Sequence, residues 1–263
     1  MMHSRKTLAA TSLMLCMGGA FATQTNDESY VRYSGTATAL HSDLFLYREN
    51  DVVQFRGGKI AGRVVLYTCR DGSAFARKTV SYVDPLSPDF TLEDTSNGMR
   101  EGIRSSNHER EVFFRSDAAA AEKSRAMPAA SGLVADSGFD EFVQMNWQAL
   151  MAGQTLGLDF LVPSRLHDMG FQVRHLGSEQ LEGTQAEIFR LKLSGILGWI
   201  LPGIDVYYGA ADHVLMRYVG LSDLRDRSND NFRTAITFPP EDRRSGAEQD
   251  LVAARQARLS PCK

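Results

Sequence analysis

The chain has 263 residues, of which 43% are apolar and 23% charged, with a formal net charge of −3. Acidic residues slightly outnumber basic ones, so there is no cationic surplus to neutralise phosphates and a nucleic-acid partner is disfavoured. Beyond the amino terminus no apolar run approaches the roughly 20 residues that span a bilayer, so the chain is not expected to cross a membrane.

At the amino terminus His3, Arg5 and Lys6 precede the apolar run TLAATSLMLCMGGA, and Ala20-Phe21-Ala22 follows. A basic n-region, a short h-region and a small-x-small site are the three parts of a secretory signal peptide. Residues 1–22 are therefore predicted to be a signal peptide cleaved near Ala22, leaving an exported, periplasmic protein. Leu15 before Cys16 is the wrong residue for lipidation, which favours a soluble product. Removing Arg5 and Lys6 takes the basic count from 29 to 27 against 32 acidic residues, a net charge of about −5. Cys16 also leaves, and Cys69 and Cys262 remain as an even pair in a compartment that permits disulfides. They are expected to be bonded, pinning the tail to an early strand. Two cysteines without metal-spaced histidines do not make a zinc site.

In chain order, residues 23–240 read as one β-rich domain. YVRYSGTATAL, DLFLYREN, DVVQFR and KIAGRVVLYTC are short runs rich in β-branched and aromatic residues. Gly57-Gly58 supplies turn chemistry, and Asp71-Gly72 is a hairpin signal of the type I′ kind, in which both central residues need positive φ. DFTLED, MREGIRS and REVFFRS continue the pattern. An insertion and helix occupy about 117–152. Its first part, DAAAAEKSRAMPAASGLVADSG, predicts a short helix with a loop or a mobile insertion. Its second, GFDEFVQMNWQALMAG, predicts an amphipathic helix capped by Ser137 and ended by Gly153, with Phe139, Phe142, Val143, Trp147, Leu150 and Met151 on one side. Strands resume in TLGLDFLVP, GFQVRHLG, AEIFRLKLSG, IDVYYG, HVLMRYVGL and NFRTAITFPP. Residues 241–263 form a tail in which Ser245 and Glu248 have capping-box spacing before a short helix. Many antiparallel strands without a βαβ rhythm predict a mainly β (α+β) fold: a strongly curved antiparallel sheet or half-open barrel with the helix on its concave face.

The chain carries no G-x-S-x-G, H-E-x-x-H, P-loop or dinucleotide glycine fingerprint. His41, His108, His167, His175 and His213 are predicted at surfaces and turns; His167 and Asp168, adjacent on a strand, would face opposite ways. No catalytic residue, cofactor or metal ligand is assigned, and SNDN near residue 229 lacks the grammar of a calcium loop. Carboxylates such as Asp89, Glu93 and Asp226 leave open a hydrolase if folding brings them together. Local ion pairs on solvated loops are the reading these residues favour.

The stretch SGILGWILPGIDVYYG, residues 194–209, is apolar, Gly/Pro-bounded and too short to span a bilayer. Placed between two strands, it suits the mouth of a curved sheet. With the helix it yields six candidate ligand-binding residues: Phe142, Trp147, Met151, Trp199, Leu201 and Ile204. An ordinary packed core needs the same residues. The signal peptide, the strands from YVRYSGTATAL to VSYVDP, the helix FDEFVQMNWQAL and the hairpin IDVYYGAADHVLMRYVGLSDL together resemble the periplasmic LolA/LolB-type lipoprotein carriers and related uncharacterised β-rich envelope proteins. The resemblance implies a half-open barrel with helices as a lid, holding a lipid or acyl chain. The departures are the Ala-rich insertion and the charged tail. The functional expectation is an exported carrier of a hydrophobic small molecule. The alternatives are a non-enzymatic envelope scaffold that docks a protein partner, and the carboxylate hydrolase.

Overall fold

The computed structural model describes residues 1, 27–106, 109–127, 132–195, 203–226 and 228–262. The signal-peptide segment, His108, Trp199 and Leu201 lie outside the described residues. Among the described residues there are fifteen strands and three short α-helices. The strands are β1 (Glu28–Ala39), β2 (Phe45–Arg56), β3 (Lys59–Thr68), β4 (Ala74–Ser81), β5 (Asp89–Asp94), β6 (Met99–Ser106), β7 (Glu109–Arg115) and β8 (Lys123–Met127). Helices α1 (Gly138–Met145) and α2 (Trp147–Met151) follow, then β9 (Leu156–Val162), β10 (His167–Leu181), β11 (Thr184–Leu193), β12 (Ile204–Gly209), β13 (Leu215–Arg225), β14 (Asn231–Thr237), β15 (Arg244–Ser245) and α3 (Glu248–Gln256).

All strands join one antiparallel sheet in the order β8-β7-β6-β5-β4-β3-β2-β1-β14-β13-β12-β11-β10-β9, with β15 added beside β1. Two up-and-down meanders are thus sewn together where β1 meets β14. The outermost strands, β8 and β9, do not pair. Between them the segment Leu133–Ala135 acts as a strap. Val134 N–H donates to Asp159 O, Leu161 N–H donates to Val134 O, and Ala135 N–H donates to Leu86 O, at 2.8–2.9 Å. Leu133, Ala135 and Leu161 pack there with Val80, Phe90, Ile103 and Val112, so side chains from both ends of the sheet share one apolar cluster. The sheet is strongly curved and unclosed.

Strand alternation sorts the rest. Tyr33, Tyr47, Val53, Val65, Tyr67, Leu92, Met99 and Phe238 face inward in one half. In the other, Phe139, Val143 and Leu150 of the helical segment lie on Leu158, Val173, Phe189, Val206 and Tyr208. The helix-on-concave-face expectation holds. Val52 and Val64 point outward, where Leu251 and Ala254 of α3 cover them. Cys262 reaches Cys69, just after β3, and the two are disulfide-bonded across 193 positions.

Several local expectations are corrected. DLFLYREN and DVVQFR are one uninterrupted strand, β2, because Glu49 and Asp51 point into the interior instead of marking a turn. Positive φ at both central residues occurs at Gly57-Gly58, 58° and 72°, between paired Arg56 and Lys59. At Asp71-Gly72 only the glycine has positive φ, and the Asp71 carboxylate holds the Ser73 amide at 2.9 Å in a longer loop. The Ala-rich stretch contributes β8. The central helix breaks at Asn146, whose Nδ2 donates to Phe142 O at 2.8 Å and competes with the helical ladder. Ser137 gives no capping bond to α1; its hydroxyl donates to Asp136. Ser245 lies in β15, and the Asp250 carboxylate instead accepts the Ala247 amide at the start of α3, at 2.8 Å.

Candidate functional site

The inner face of the sheet surrounds a cavity of about 230 Å³ with two unlike walls. Leu191, Ile204, Val206 and Leu215 from β11–β13, with Phe160, Leu161, Ile236 and Phe238, make the apolar wall. In the polar part of the lining, β2 presents Glu49 and Asp51, β3 Arg63, β4 Lys78 and β6 Glu101. The turn into α1 adds Asp136, Ser137 and Asp140, and Asp223 completes the polar wall from β13. The helix start reaches this wall because Gly138 passes so close to the Leu86 carbonyl that an added Cβ would stand 2.0 Å from its oxygen.

The two cations on this wall are each shared between carboxylates. Arg63 Nε donates to Asp51 Oδ1 at 2.8 Å, its Nη1 lies 3.5 Å from Asp140 Oδ2, and its Nη2 donates to the Tyr33 hydroxyl. Asp140 also accepts the Tyr208 hydroxyl at 2.6 Å. Lys78, 8% exposed, donates to both Asp136 Oδ1 and Asp223 Oδ2. Burial works to raise the Asp136 carboxyl, but Lys78 and the Ser137 hydroxyl outweigh it and hold the group below its usual value. Lys78 and Arg63 are themselves held protonated, since their anionic neighbours overcome the burial that opposes their charge.

Three carboxylates on the polar wall are less well met. Asp51 is 2% exposed, and its Oδ2 is buried without a hydrogen-bond partner. Burial raises this carboxyl against the pull of Arg63. Glu101 is 8% exposed and, among the described residues, accepts no hydrogen bond. Burial, with the neighbouring Asp223 charge, pushes it up to about 8. Glu49 is half-buried, its residual surface facing the cavity, and burial together with Asp51 pushes it up to about 8 as well. Among the described residues no group of three or more histidine, cysteine, aspartate or glutamate side chains is placed to hold a metal ion.

Of the six residues singled out in the sequence as ligand-binding, Ile204 lines the cavity. Phe142 and Trp147 pack on the adjoining helical core. The Trp147 ring lies 4.9 Å from Phe189 and is stacked on His213 at 3.7 Å. Met151 is exposed at 39%. Trp199 and Leu201 are not described. The helix sends Phe139 to the cavity wall in place of Phe142. The carboxylates considered for a hydrolase are apart from the cavity and locally engaged. Asp89 pairs with Arg110, Glu93 with Arg77, and Asp226 accepts the amides of Ser228 and Asp230. His175 meets Glu187 at 2.7 Å, while His167 and Asp168 lie 3.7 Å apart and exposed.

The polar wall is absent from the sequence expectation, yet its signal is present in strand phase. Glu49 and Asp51 share parity with inward Tyr47 and Val53; Lys78 falls between Ala76 and Val80; Glu101 falls between Met99 and Ile103. A charge in the dry phase of a strand is a buried charge.

No protein-family model matches this chain, and no curated protein matches it by sequence. Among solved structures it is similar to a β-barrel-like protein of the domain of unknown function DUF1849 from Brucella abortus. That match has a TM-score of 0.46 at 9% identity and covers 84% of this chain and 98% of that one. A DUF1329 family protein from Desulfovibrio piger follows at TM-score 0.31 and 10% identity, covering 90% and 93%. An outer-membrane lipoprotein-sorting protein domain from Vibrio parahaemolyticus has TM-score 0.27 and 8% identity, covering 87% and 92%.

Proposed function

We propose that this chain is an exported, periplasmic protein that binds a small hydrophobic molecule, a lipid or single acyl chain, inside its curved sheet. The observation that carries the reading is the cavity of about 230 Å³ lined on its apolar part by Phe160, Leu191, Ile204, Val206 and Leu215. Apolar surface left facing an interior space gains free energy when a chain replaces water there, about 0.8 kcal/mol for each CH₂ buried. Export is supported by the amino-terminal pattern and by the Cys69–Cys262 bond, which suits an oxidising compartment. Among the described residues no helix is long and apolar enough to cross a membrane.

The test is native mass spectrometry of the protein purified from the periplasm without detergent, followed by organic extraction and lipid analysis. A stoichiometric bound lipid or fatty chain is the expected result. A bare protein mass that stays unchanged when short-chain amphiphiles are added would overturn the reading and turn attention to a protein-docking role.

A further inference from the structure

We infer that the cavity takes a cationic amphiphile: an ammonium or guanidinium head on one short apolar chain, the head seated against Glu49 and Glu101. This deepens the proposed function and rests on it. The first reason is the charge inventory of the wall. Glu49, Asp51, Glu101, Asp136, Asp140 and Asp223 line the cavity against only Arg63 and Lys78. Each of those cations already lies within ion-pair distance of two carboxylates. An anionic head, such as a fatty-acid carboxylate, would meet no uncommitted cation on this wall, where four aspartates already face two cations before either glutamate ionises.

The second reason is the set of unmet acceptors. Glu101 is buried on the cavity wall without a hydrogen-bond donor among the described residues, and Asp51 keeps a buried oxygen without one. Native structures rarely leave such groups unpaired, because each costs its desolvation without return. A ligand that brings donors and positive charge supplies what the polypeptide does not. Arg225 and Arg243 act on Glu101 and Asp51 only from outside the cavity. Each lies over an aromatic ring, Phe114 and Tyr33 respectively.

Size limits the tail. At about 30 Å³ for each water-sized group, the space holds about eight such groups, and it falls below the roughly 300–1,000 Å³ of drug-sized pockets. One unbranched chain of about eight groups, head included, fits; a diacyl lipid does not fit whole. Glu49 faces Asp51, Arg63, Lys78 and Asp223; Glu101 faces Asp136, Lys78, Asp223 and Arg225. In that company both glutamates retain their protons near neutrality. A cation that binds their ionised form must displace protons, so its affinity rises with pH, up to tenfold per unit for each proton released.

The experiment is calorimetric titration of the disulfide-intact mature protein with octylammonium, octanol and octanoate, three probes that share a tail and differ in head charge. Octylammonium is expected to bind on the order of tenfold more tightly than octanol, octanoate most weakly, and the ammonium affinity to rise between about pH 6 and pH 8. Glu49→Gln and Glu101→Gln, checked for folding by circular dichroism, are expected to keep the octanol affinity and lose the ammonium preference. Equal affinities for the ammonium and the alcohol, or a preference surviving both substitutions, would overturn the cationic head while leaving the hydrophobic site intact. Octanoate as the tightest probe would do the same. Binding by none of the three would sink both readings.

Discussion

Replacing Glu49 and Glu101 together by glutamine should change how stability depends on pH, and the sign follows from the cavity. Each carboxyl is near 4.5 when the chain is unfolded and about 8 in the folded protein. Between those values the folded state binds more protons than the unfolded state, so stability falls as pH rises. The contribution is fully present below 4.5 and is lost as pH climbs through about 8. Each group gives a slope of about 1.4 kcal/mol per pH unit. Two groups over about two pH units therefore give up to about 5 kcal/mol, a large part of the 5–15 kcal/mol that a domain has in total. Glu49 is only half-buried, and the solvent screening that goes with its exposure makes this an upper figure. Asp51 and Asp94, both raised by burial, act in the same direction. Asp136, held low, loses its contribution only in acid below its usual 3.8. Urea denaturation at about pH 5.5, 6.5 and 7.5 should show the wild-type midpoint falling steadily while the double glutamine variant stays much flatter, with m unchanged. Parallel pH profiles for the two proteins would refute the placement of protons in the cavity.

Lys78→Met should destabilise the fold by about 3–5 kcal/mol, because it strands the buried Asp136 carboxylate; in a urea titration, adding Asp136→Asn should recover part of the loss. Gly138→Ala puts a Cβ 2.0 Å from the Leu86 carbonyl oxygen and should cost about 1–3 kcal/mol through overpacking, seen as a lowered thermal midpoint. Loss of the Cys69–Cys262 bond, which spans 193 positions, should cost about 5 kcal/mol on the chain-entropy model; denaturation with and without reductant measures it, and coincident curves would contradict it. Glu101→Met, which removes a buried acceptor without a donor, should raise the thermal midpoint at about pH 8, where the wild-type group ionises.

The fold was legible in the sequence wherever a strand obeyed simple alternation. Phe189 and Leu191 against Arg190 and Lys192 declare a dry and a wet face, and β11 is where that pattern places it. Reading failed where the interior is charged. REND looked like the end of one strand and the start of another because Glu49, Asn50 and Asp51 are turn-like in composition, yet the backbone pairs continuously with β1 and β3 through all three. Tertiary pairing overrode local composition there. Of the candidate site, the apolar side was partly visible through Ile204. The polar side was invisible as a motif because its members come from β2, β3, β4, β6, β13 and the turn into α1, and only the curl of the sheet brings them together. No spacing along the chain encodes that meeting.

The same cluster bears on why the sheet surrounds a space at all. Taking a charge out of water costs several kcal/mol, repaid only by good pairing. In this chain the repayment is incomplete: Arg63 and Lys78 answer four carboxylates, and Glu49 and Glu101 avoid the cost by holding protons. For stability alone, leucine or methionine at positions 49 and 101 would extend the apolar inner face and remove two ionisable groups from it. The polar residues instead line the same cavity as Ile204, Val206 and Leu215. Sites where sequence breaks the rules of stable packing are where function is expected. The charge excess and the apolar wall are therefore best understood as two halves of one recognition surface, the tail of a ligand against one and its head against the other.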